Sequence, residues 1–344
     1  MPTRNTAGHV LQVRAVSLSN YVPLAQSVGL DGFAMLREFG IDPRLFTTPE
    51  TRIPADAVST LLSESARRSG CETFGLLLAD TRTFASLGPL SLLLRHESSL
   101  RAVLGRVMAY RRLISDIVEF DLEERGEEVR ILISVTPEVA SRQCVELVMS
   151  LFCRFLRGAM FGGWHPAEAH FQFPEPADRR QHQKAFRAPL RFDSSFNGFI
   201  IPAESLDREN AHGDPGFVEH AQHYLDLLAA KLPEPSLTEL VRVAIKRLLP
   251  AGVATLARVA GQLNIHPRTL QRKLAAMGVA FADLVESVRA NRARDLLANT
   301  NLPLTEVALL VGYASPASFS RWFAGLAGRP PRQWRLLNQQ KAAA

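Results

Sequence analysis

Apolar residues recur every three or four positions through much of the chain, a spacing that predicts helices with one buried face. In the N-terminal two thirds, this pattern predicts helices over residues 31–39, 54–69, 98–114 and 215–231. A more strongly apolar helix is expected over residues 145–156.

Two adjacent segments alternate instead between apolar and polar side chains, a period of two that predicts half-buried strands. They span residues 118–123 and 129–135, and a turn containing Gly126 separates them. We expect this pair to form an antiparallel hairpin. Shorter strands are expected at residues 169–173 and 198–201. Helices and strands in this order predict an α+β fold for the N-terminal domain.

The segment Pro233-Glu234-Pro235 ends this region. Proline lacks a backbone N–H and restricts the residue before it, so no helix is expected to cross the segment. Ser236 and Glu239 follow with the S-x-x-E spacing of a capping box, which marks the start of a helix. We therefore predict an N-terminal domain, a C-terminal domain and a short tail, with the boundaries 1–232, 236–336 and 337–344.

The C-terminal domain repeats one pattern twice: a short apolar helix, a tight turn and a second helix that opens on proline. The first copy spans about residues 254–276, with Pro267 at the first helical position, where a missing N–H costs nothing. The second copy spans about residues 303–327, with Gly312 in the turn and Pro316 opening the helix. Both copies predict helix-turn-helix motifs, so we expect this domain to be all-α.

A helix of about 19 residues, from Ala280 to Ala298, is predicted between the two motifs and would be about 28 Å long. A spacer of this length would hold two recognition helices about one DNA turn, or roughly 34 Å, apart. Both could then enter successive major grooves on one face of the duplex. Its apolar residues are expected to share one side: Phe281, Leu284, Val285, Val288, Ala293, Leu296 and Leu297.

Charge is distributed unevenly along the chain. Residues 1–235 carry 25 basic and 29 acidic side chains, whereas residues 236–344 carry 15 basic and 5 acidic ones, a formal charge of +10. This asymmetry favours a polyanionic partner for the C-terminal domain. A solvated basic surface is the alternative interpretation of the charge taken alone.

The remaining composition bounds the class of protein. The chain has 344 residues, 47% of them apolar, which excludes disordered and fibrous classes. Its apolar runs fall short of the roughly 20 residues that span a bilayer, and its first residues lack the pattern of a secretory signal. The spacing of Cys71, Cys144 and Cys153 fits neither a disulfide framework nor a metal site. We therefore expect a reduced, cytoplasmic protein.

Five short motifs follow one another through the C-terminal domain. In this order they resemble the AraC/XylS family of transcriptional regulators, and the resemblance runs from about Ser236 to Arg335. His266 stands where this family usually has a serine that caps the recognition helix. The motifs are R-T-L-Q-R-K-L from Arg268, R-x-x-x-A-x-x-L-L from Arg289, V-A-x-x-V-G-Y from Val307, F-S-R-W-F from Phe319 and G-R-P-P-x-x-W-R from Gly328.

Segments of the N-terminal domain, among them Phe74-Gly75-Leu76, Trp164-His165-Pro166 and the strand around Phe171, resemble the sensor of ornithine-utilisation-type regulators. That sensor is similar to an arabinose-binding domain and differs from the jelly-roll barrel of the arabinose regulator. The resemblance therefore implies ligand sensing and dimerisation in residues 1–232 and AraC-type DNA binding in residues 236–336.

The resemblance implies a sequence-specific transcriptional regulator, an effector-controlled activator rather than an enzyme, without cofactor or metal. Its implied partners are double-stranded promoter DNA, RNA polymerase, a small-molecule effector of unknown identity and a second copy of the chain. In this family the outward-facing residues of the two recognition helices reach base edges. The matching residues are Arg268, Gln271 and Arg272 on the first helix, and Ala317, Ser318 and Arg321 on the second; Lys273 of the first helix is also a DNA-binding candidate.

Each of these side chains has a chemical role that can be anticipated. Arg272 and Arg321 suit the O6/N7 edge of guanine, Gln271 suits adenine, and Ala317 suits the thymine methyl group. Phosphate contact, which positions the protein without specifying a sequence, is the alternative for the arginines. It is the expected role of four further cations: Lys273, Arg258, Arg289 and Arg329.

The effector site is less well marked. Four arginines interrupt apolar stretches of the N-terminal domain and are candidates for effector contact, although solvated surface arginines give the same pattern: Arg111, Arg112, Arg154 and Arg157. Two alternative functions remain open. A DNA-repair enzyme with the same DNA-binding module would need a zinc-binding cysteine cluster and a reactive thiol, which three scattered cysteines do not favour. A constitutive regulator would use its large domain only to dimerise.

Overall fold

The computed structural model describes residues 10–48, 50–136, 139–160, 163–232 and 236–343. The predicted connector Pro233-Glu234-Pro235 lies outside the described residues. Contacts between Cα atoms divide the chain into an N-terminal unit and a C-terminal unit, and the short stretches 172–174 and 193–195 are grouped with the latter. None of the described helices combines the length and the apolar character that a membrane span requires.

The N-terminal unit is an α+β fold, as its sequence predicts. Its helices are α1 (Tyr21–Ser27), α2 (Gly32–Glu38), α3 (Ala55–Ser69), α4 (Phe74–Asp80), α5 (Pro89–His96), α6 (Leu100–Ala109), α7 (Arg111–Ile114), α8 (Arg142–Ala159), α9 (Arg180–Phe186) and α10 (Pro215–Ala229). Its strands are β1 (Gln12–Arg14), β2 (Arg52–Pro54), β3 (Val118–Arg125), β4 (Glu128–Val135), β5 (Glu168–His170), β6 (Leu190–Arg191) and β7 (Gly198–Pro202). Four short 3₁₀ turns complete it: Ala15–Leu18, Pro43–Thr47, Phe84–Leu87 and Ala203–Ser205.

A five-stranded sheet in the order β3-β4-β7-β5-β6 forms the centre of this unit, and β1 pairs separately with β2. The predicted hairpin is confirmed: β3 and β4 pair antiparallel from Val118 opposite Val135 to Arg125 opposite Glu128. Gly126 occupies the turn with φ +63°, a left-handed conformation that glycine adopts without strain. The apolar helix α8 packs on the sheet, where the ring of Phe152 stacks on Phe120 with 4.7 Å between centroids.

The helix predicted over residues 98–114 is interrupted. The chain leaves the helical conformation at Tyr110, between α6 and α7, with φ −99° and ψ 14°. The ring of Tyr110 is buried, and its hydroxyl donates a hydrogen bond of 2.6 Å to Asp226 of α10. This contact lies 116 residues away in sequence, so a local pattern cannot reveal it.

The C-terminal unit is all-α with two helix-turn-helix motifs, again as predicted. Its helices are α11 (Leu237–Leu248), α12 (Leu256–Gln262), α13 (Pro267–Ala276), α14 (Phe281–Asn299), α15 (Leu304–Leu310), α16 (Pro316–Ala327) and α17 (Pro331–Ala343). We call α12 and α13 the first motif, and α15 and α16 the second motif. Ser236 and Glu239 form the capping box that opens α11. Helix α17 continues through residues 337–343, the stretch predicted to be a tail, because its residues are mostly good helix formers.

Two separate hydrophobic cores share the linker helix α14. Its first half contributes Leu284 and Val288 to a core with α11 and the first motif. Its second half contributes Ala293, Leu296 and Leu297 to a core with the second motif. At about 100° per residue, the two buried faces differ by roughly 150° around the helix. The prediction that these apolar residues share one side is therefore wrong, because each half packs against a different motif.

Candidate nucleic-acid interface

Helix α13 is held by its buried side and displays its polar side. Leu270 and Leu274 are fully buried in the first core. Pro267 occupies the first turn, and the Nδ1 atom of His266 accepts a hydrogen bond of 3.3 Å from the backbone N–H of Arg268. Histidine thus caps this helix in place of the serine that the family usually has.

The predicted DNA-binding residues of α13 are all exposed. Arg268, Gln271 and Arg272 line one open hollow of about 390 Å³, with His266, Thr269 and Ala275 around them. Lys273 is exposed but does not line this hollow. Across the part of the chain that the structure describes, no ion pair or side-chain hydrogen bond engages Arg268, Arg272 or Lys273. Their charges are therefore available to an external anion.

Helix α16 presents a less polar surface. Phe319 and Phe323 are buried in the second core, whereas Ala317 and Arg321 are exposed. The predicted contact residue Ser318 is half-buried and bonded to the cap. Its N–H donates to the Ser315 hydroxyl at 3.2 Å, and the two hydroxyl oxygens are 3.0 Å apart. Arg321 thus remains as the exposed cation of this helix.

Helix α14 braces the second motif through two side chains one turn apart. Glu286 accepts a hydrogen bond from the indole Nε1–H of Trp322. Arg289 donates from Nε to the carbonyl oxygen of Val311 at 3.1 Å and lies 5.0 Å from the ring centroid of Tyr313. Arg289, expected to contact phosphate, therefore also positions the turn of the second motif. The i, i+3 spacing of Glu286 and Arg289 predicts only the ion pair between them within α14, and their contacts to the second motif leave no local signal in the sequence.

The four candidate effector contacts lie on two helices of the N-terminal unit, Arg111 and Arg112 on α7, and Arg154 and Arg157 on α8. Arg154 donates to Asp80 at 2.8 Å and to the carbonyl oxygen of Arg82 at 2.7 Å.

Arg157 donates to the carbonyl oxygens of Ala185 at 3.2 Å and Phe186 at 3.5 Å and to the Sγ atom of Cys153 at 3.3 Å. Arg111 donates to the carbonyl oxygen of Met108 at 3.4 Å. Arg112 is half-buried. The guanidinium groups of Arg154 and Arg157 thus act mainly as internal braces between helices and turns.

The cysteines lack the features of a reactive centre. All three are unpaired, and Cys144 and Cys153 are buried. Burial raises the pKa of both thiols, that of Cys153 to about 11, so both are protonated at neutral pH and are weak nucleophiles. Among the described residues, no group of three or more His, Cys, Asp or Glu side chains could hold a metal ion. The two buried thiols therefore lack the reactivity, and the described residues the metal-ligand cluster, that a DNA-repair enzyme needs.

Two recognition helices with exposed arginines, attached to an α+β unit, define a DNA-binding transcriptional regulator with a sensor domain. Family models agree: residues 29–210 match the arabinose-binding domain of the AraC transcription regulator, and residues 259–336 match a helix-turn-helix domain. The chain belongs to the AraC family of transcriptional regulators, which confirms the resemblance inferred from its motifs.

Two curated relatives align with nearly the whole chain. The HTH-type transcriptional regulator VirS of Mycobacterium tuberculosis is 30% identical over 334 residues, 94% of this chain and 96% of that protein. The ornithine utilization regulator of Pseudomonas aeruginosa is 25% identical and covers 91% of this chain and 93% of its own. The crystal structure of the transcriptional regulator CdpR from Pseudomonas aeruginosa is 21% identical, with a TM-score of 0.43 over 92% of this chain and 98% of that one.

Proposed function

We propose that this protein is an effector-controlled transcriptional activator that binds promoter DNA as a homodimer in the cytoplasm and recruits RNA polymerase. In this proposal it performs no chemical step and needs no cofactor. Residues 1–232 sense the effector and dimerise, and residues 236–336 read DNA. The observation that carries the proposal is the pair of recognition helices built on the two halves of α14.

The shared helix favours simultaneous reading of two grooves. Each half of α14 is buried in the core of one motif, and packed cores resist deformation, so the separation of α13 and α16 is held fixed. Helix α14 has 19 residues and is about 28 Å long, close to the roughly 34 Å of one DNA turn. A single chain would therefore place α13 and α16 in successive major grooves.

The exposed side chains support distinct roles within this arrangement. Arg272 is exposed on α13, and Arg321 is the exposed cation of α16. Both are proposed to donate hydrogen bonds to the O6 and N7 atoms of guanine. Gln271 and Arg268 lie beside Arg272 on the same exposed side of α13, at i, i+3 and i+4 spacing, which favours base contact for them as well. Lys273 lies outside the hollow and is proposed to contact phosphate.

These roles can be tested on an operator selected from random duplex DNA and then substituted base by base. Arg272→Ala and Arg321→Ala should each lose about 1–3 kcal/mol of discrimination, at two positions about one helical turn apart. The matched control Lys273→Ala should weaken binding to all sequences alike and lower the slope of log affinity against log salt by about 1. If both arginine variants also weakened every sequence alike, their role would be phosphate contact.

The division of labour between the two units has its own test. The cores of the C-terminal unit are complete within residues 236–343, so a chain of residues 236–344 should fold alone and bind the operator without effector. The full-length dimer should bind more tightly, because a tethered second module raises the effective concentration. Gel-shift titrations of both proteins measure this. A folded fragment that fails to bind DNA, or that itself responds to an effector, would contradict the modular account.

A further inference from the structure

Arg82 of the N-terminal unit is buried without a partner. It follows α4 directly and is only 3% exposed. Across the described residues, none of its three guanidinium nitrogens has a hydrogen-bond partner. An unpaired buried charge is strongly unfavourable, and folded proteins nearly always pair such groups with an anion or an acceptor. Arg82 is therefore an exception that needs a physical reason.

Arg14, a second buried arginine, lies close enough to act on Arg82. It is 5% exposed, but its guanidinium is engaged: Nη1 is 3.1 Å from a carboxylate oxygen of Glu50, and Nη2 donates to the carbonyl oxygen of Ser86 at 3.1 Å. Burial, together with the charge of Arg14, lowers the pKa of Arg82 to about 10. Arg82 thus stays protonated at neutral pH, and among the described residues no side chain forms a hydrogen bond or an ion pair with its guanidinium.

The main chain holds Arg82 in place from two sides. Its N–H donates to the carbonyl oxygen of Ala79 at 3.0 Å, and its own carbonyl oxygen accepts from Arg154 of α8 at 2.7 Å. Arg154 also pairs with Asp80, the last residue of α4. The backbone that carries the unpaired guanidinium is therefore anchored, which is how a binding group is preorganised.

A second buried polar group without a partner lies near Arg14 in the chain. The hydroxyl of Ser17 has no hydrogen-bond partner among the described residues. Ser17 belongs to the 3₁₀ turn that begins directly after Arg14, so the fold leaves a second polar group unsatisfied three residues after Arg14.

We propose that Arg82 and Arg14 form an anion subsite that takes the single carboxylate of a small organic effector. The inference rests on the proposed effector control and specifies the chemistry of the effector. Glu50 pairs with Arg14, whereas Arg82 has no anionic partner among the described residues, so one negative charge would neutralise the unpaired guanidinium. The planar fork of a guanidinium also matches a carboxylate with two parallel hydrogen bonds.

Substitution of Arg82 in the full-length protein tests whether its charge is uncompensated. Arg82→Met should raise the Tm of the ligand-free protein by a few degrees, because it removes a buried charge that lacks a partner. The matched control Arg14→Met should lower the Tm, since it leaves Glu50 and the Ser86 carbonyl oxygen without their donor. If Arg82→Met or Arg82→Gln lowered the Tm as much as Arg14→Met, Arg82 would be a structural residue and the proposal would be wrong.

The ligand is tested with monocarboxylates from acetate to octanoate, benzoate, and α-amino and α-hydroxy acids, each beside its amide at equal ionic strength. At least one acid, but not its amide, should raise the Tm of the wild type, because a ligand that binds only the folded state stabilises it. The increase should be absent in Arg82→Met. Stabilisation by inorganic phosphate alone, or by no member of the panel, would overturn the carboxylate subsite.

Operator binding measured on the same samples separates this inference from the proposed function. Arg82→Met should bind operator DNA like the wild type without ligand, because the recognition helices belong to the other unit. A response to the acid in the wild type that Arg82→Met lacks supports both proposals. Suppose instead that an acid raises the Tm of the wild type but not that of Arg82→Met, and yet leaves operator binding and transcription unchanged. That result would contradict effector control but would still support the carboxylate subsite.

Discussion

Aliphatic side chains form the core of the first helix-turn-helix motif, whereas aromatic rings form much of the core of the second. Around α13, Leu270 and Leu274 pack on Val259 and Ala260. Around α16, Phe319 and Phe323 pack within a cluster of rings whose neighbouring centroids lie 5.3 to 6.2 Å apart, with Tyr313, Trp322 and Trp334 as its other members. The second motif also receives the two braces from α14, and the first displays more unengaged charge.

This difference indicates that the two motifs, although they share one architecture, contribute differently to DNA binding. The first motif offers four exposed polar side chains on α13, which favour attraction to DNA and readout of bases. The second offers fewer, but its rings, which bury large areas, and its braces fix the orientation of α16. We therefore expect substitutions in the second motif to act on stability first, and substitutions on α13 to act on affinity first.

The turns of the two motifs give the largest expected effect. Gly312 has φ +80°, and a Cβ atom there would lie 2.7 Å from the carbonyl oxygen of Leu249 at the end of α11. Asn264, at the same position of the first motif, has φ +53°, a conformation that asparagine tolerates. Gly312→Ala should cost about 3 kcal/mol of unfolding free energy or more, and Asn264→Ala about 1 kcal/mol.

Urea unfolding, followed by tryptophan fluorescence, measures the free energy of unfolding of both variants. Trp164 is replaced by Phe in all proteins, so that the signal comes only from Trp322 and Trp334 of the C-terminal unit. Gly261→Ala in α12 is the matched control, because a Cβ atom there would meet none of the described atoms within 4 Å and alanine favours a helix. It should be neutral or slightly stabilising. Equal losses for Gly312→Ala and Asn264→Ala would show that the second turn is no more constrained than the first.

A smaller effect is expected from the brace between Trp322 and Glu286. Trp322→Phe and Glu286→Ala, alone and together, form a double-mutant cycle. The coupling between them should be about 1 kcal/mol, the usual net value of one intramolecular hydrogen bond, with Trp334 fluorescence as the readout of unfolding. A coupling near zero would mean that the ring packing alone orients α16.

The smallest effect concerns the caps of the two recognition helices. Ser315→Ala removes the hydroxyl that accepts from Ser318 and should cost about 1 kcal/mol. His266→Ser replaces a ring nitrogen by a preferred capping oxygen and should change stability by at most a few tenths of a kcal/mol. The same urea titrations compare them. A large loss in His266→Ser would give the imidazole a role beyond capping, such as support of the hollow that it lines.

Local signals are sufficient to predict the element types, because caps, turns and periodic burial depend on residues a few positions apart. The capping box at Ser236 and the hairpin around Gly126 are examples. The two buried faces of α14 could not be predicted in this way. The spacing of its apolar residues is compatible with a single buried face until the packing partners of each half are known. Likewise, the bond from Arg289 to the Val311 carbonyl spans 22 residues and leaves no local pattern. The missing partners of Arg82 are visible only once the surrounding chain is placed.

The sharing of α14 between two cores has a consequence for how the C-terminal unit opens. Loss of either core removes the support from one half of this helix, and a helix deprived of half its packing is only marginally stable in water. Opening of one motif should therefore propagate into the other, so the two behave as a single cooperative folding unit. Amide hydrogens near Ala290, between the two buried faces, should then exchange only when the whole unit unfolds.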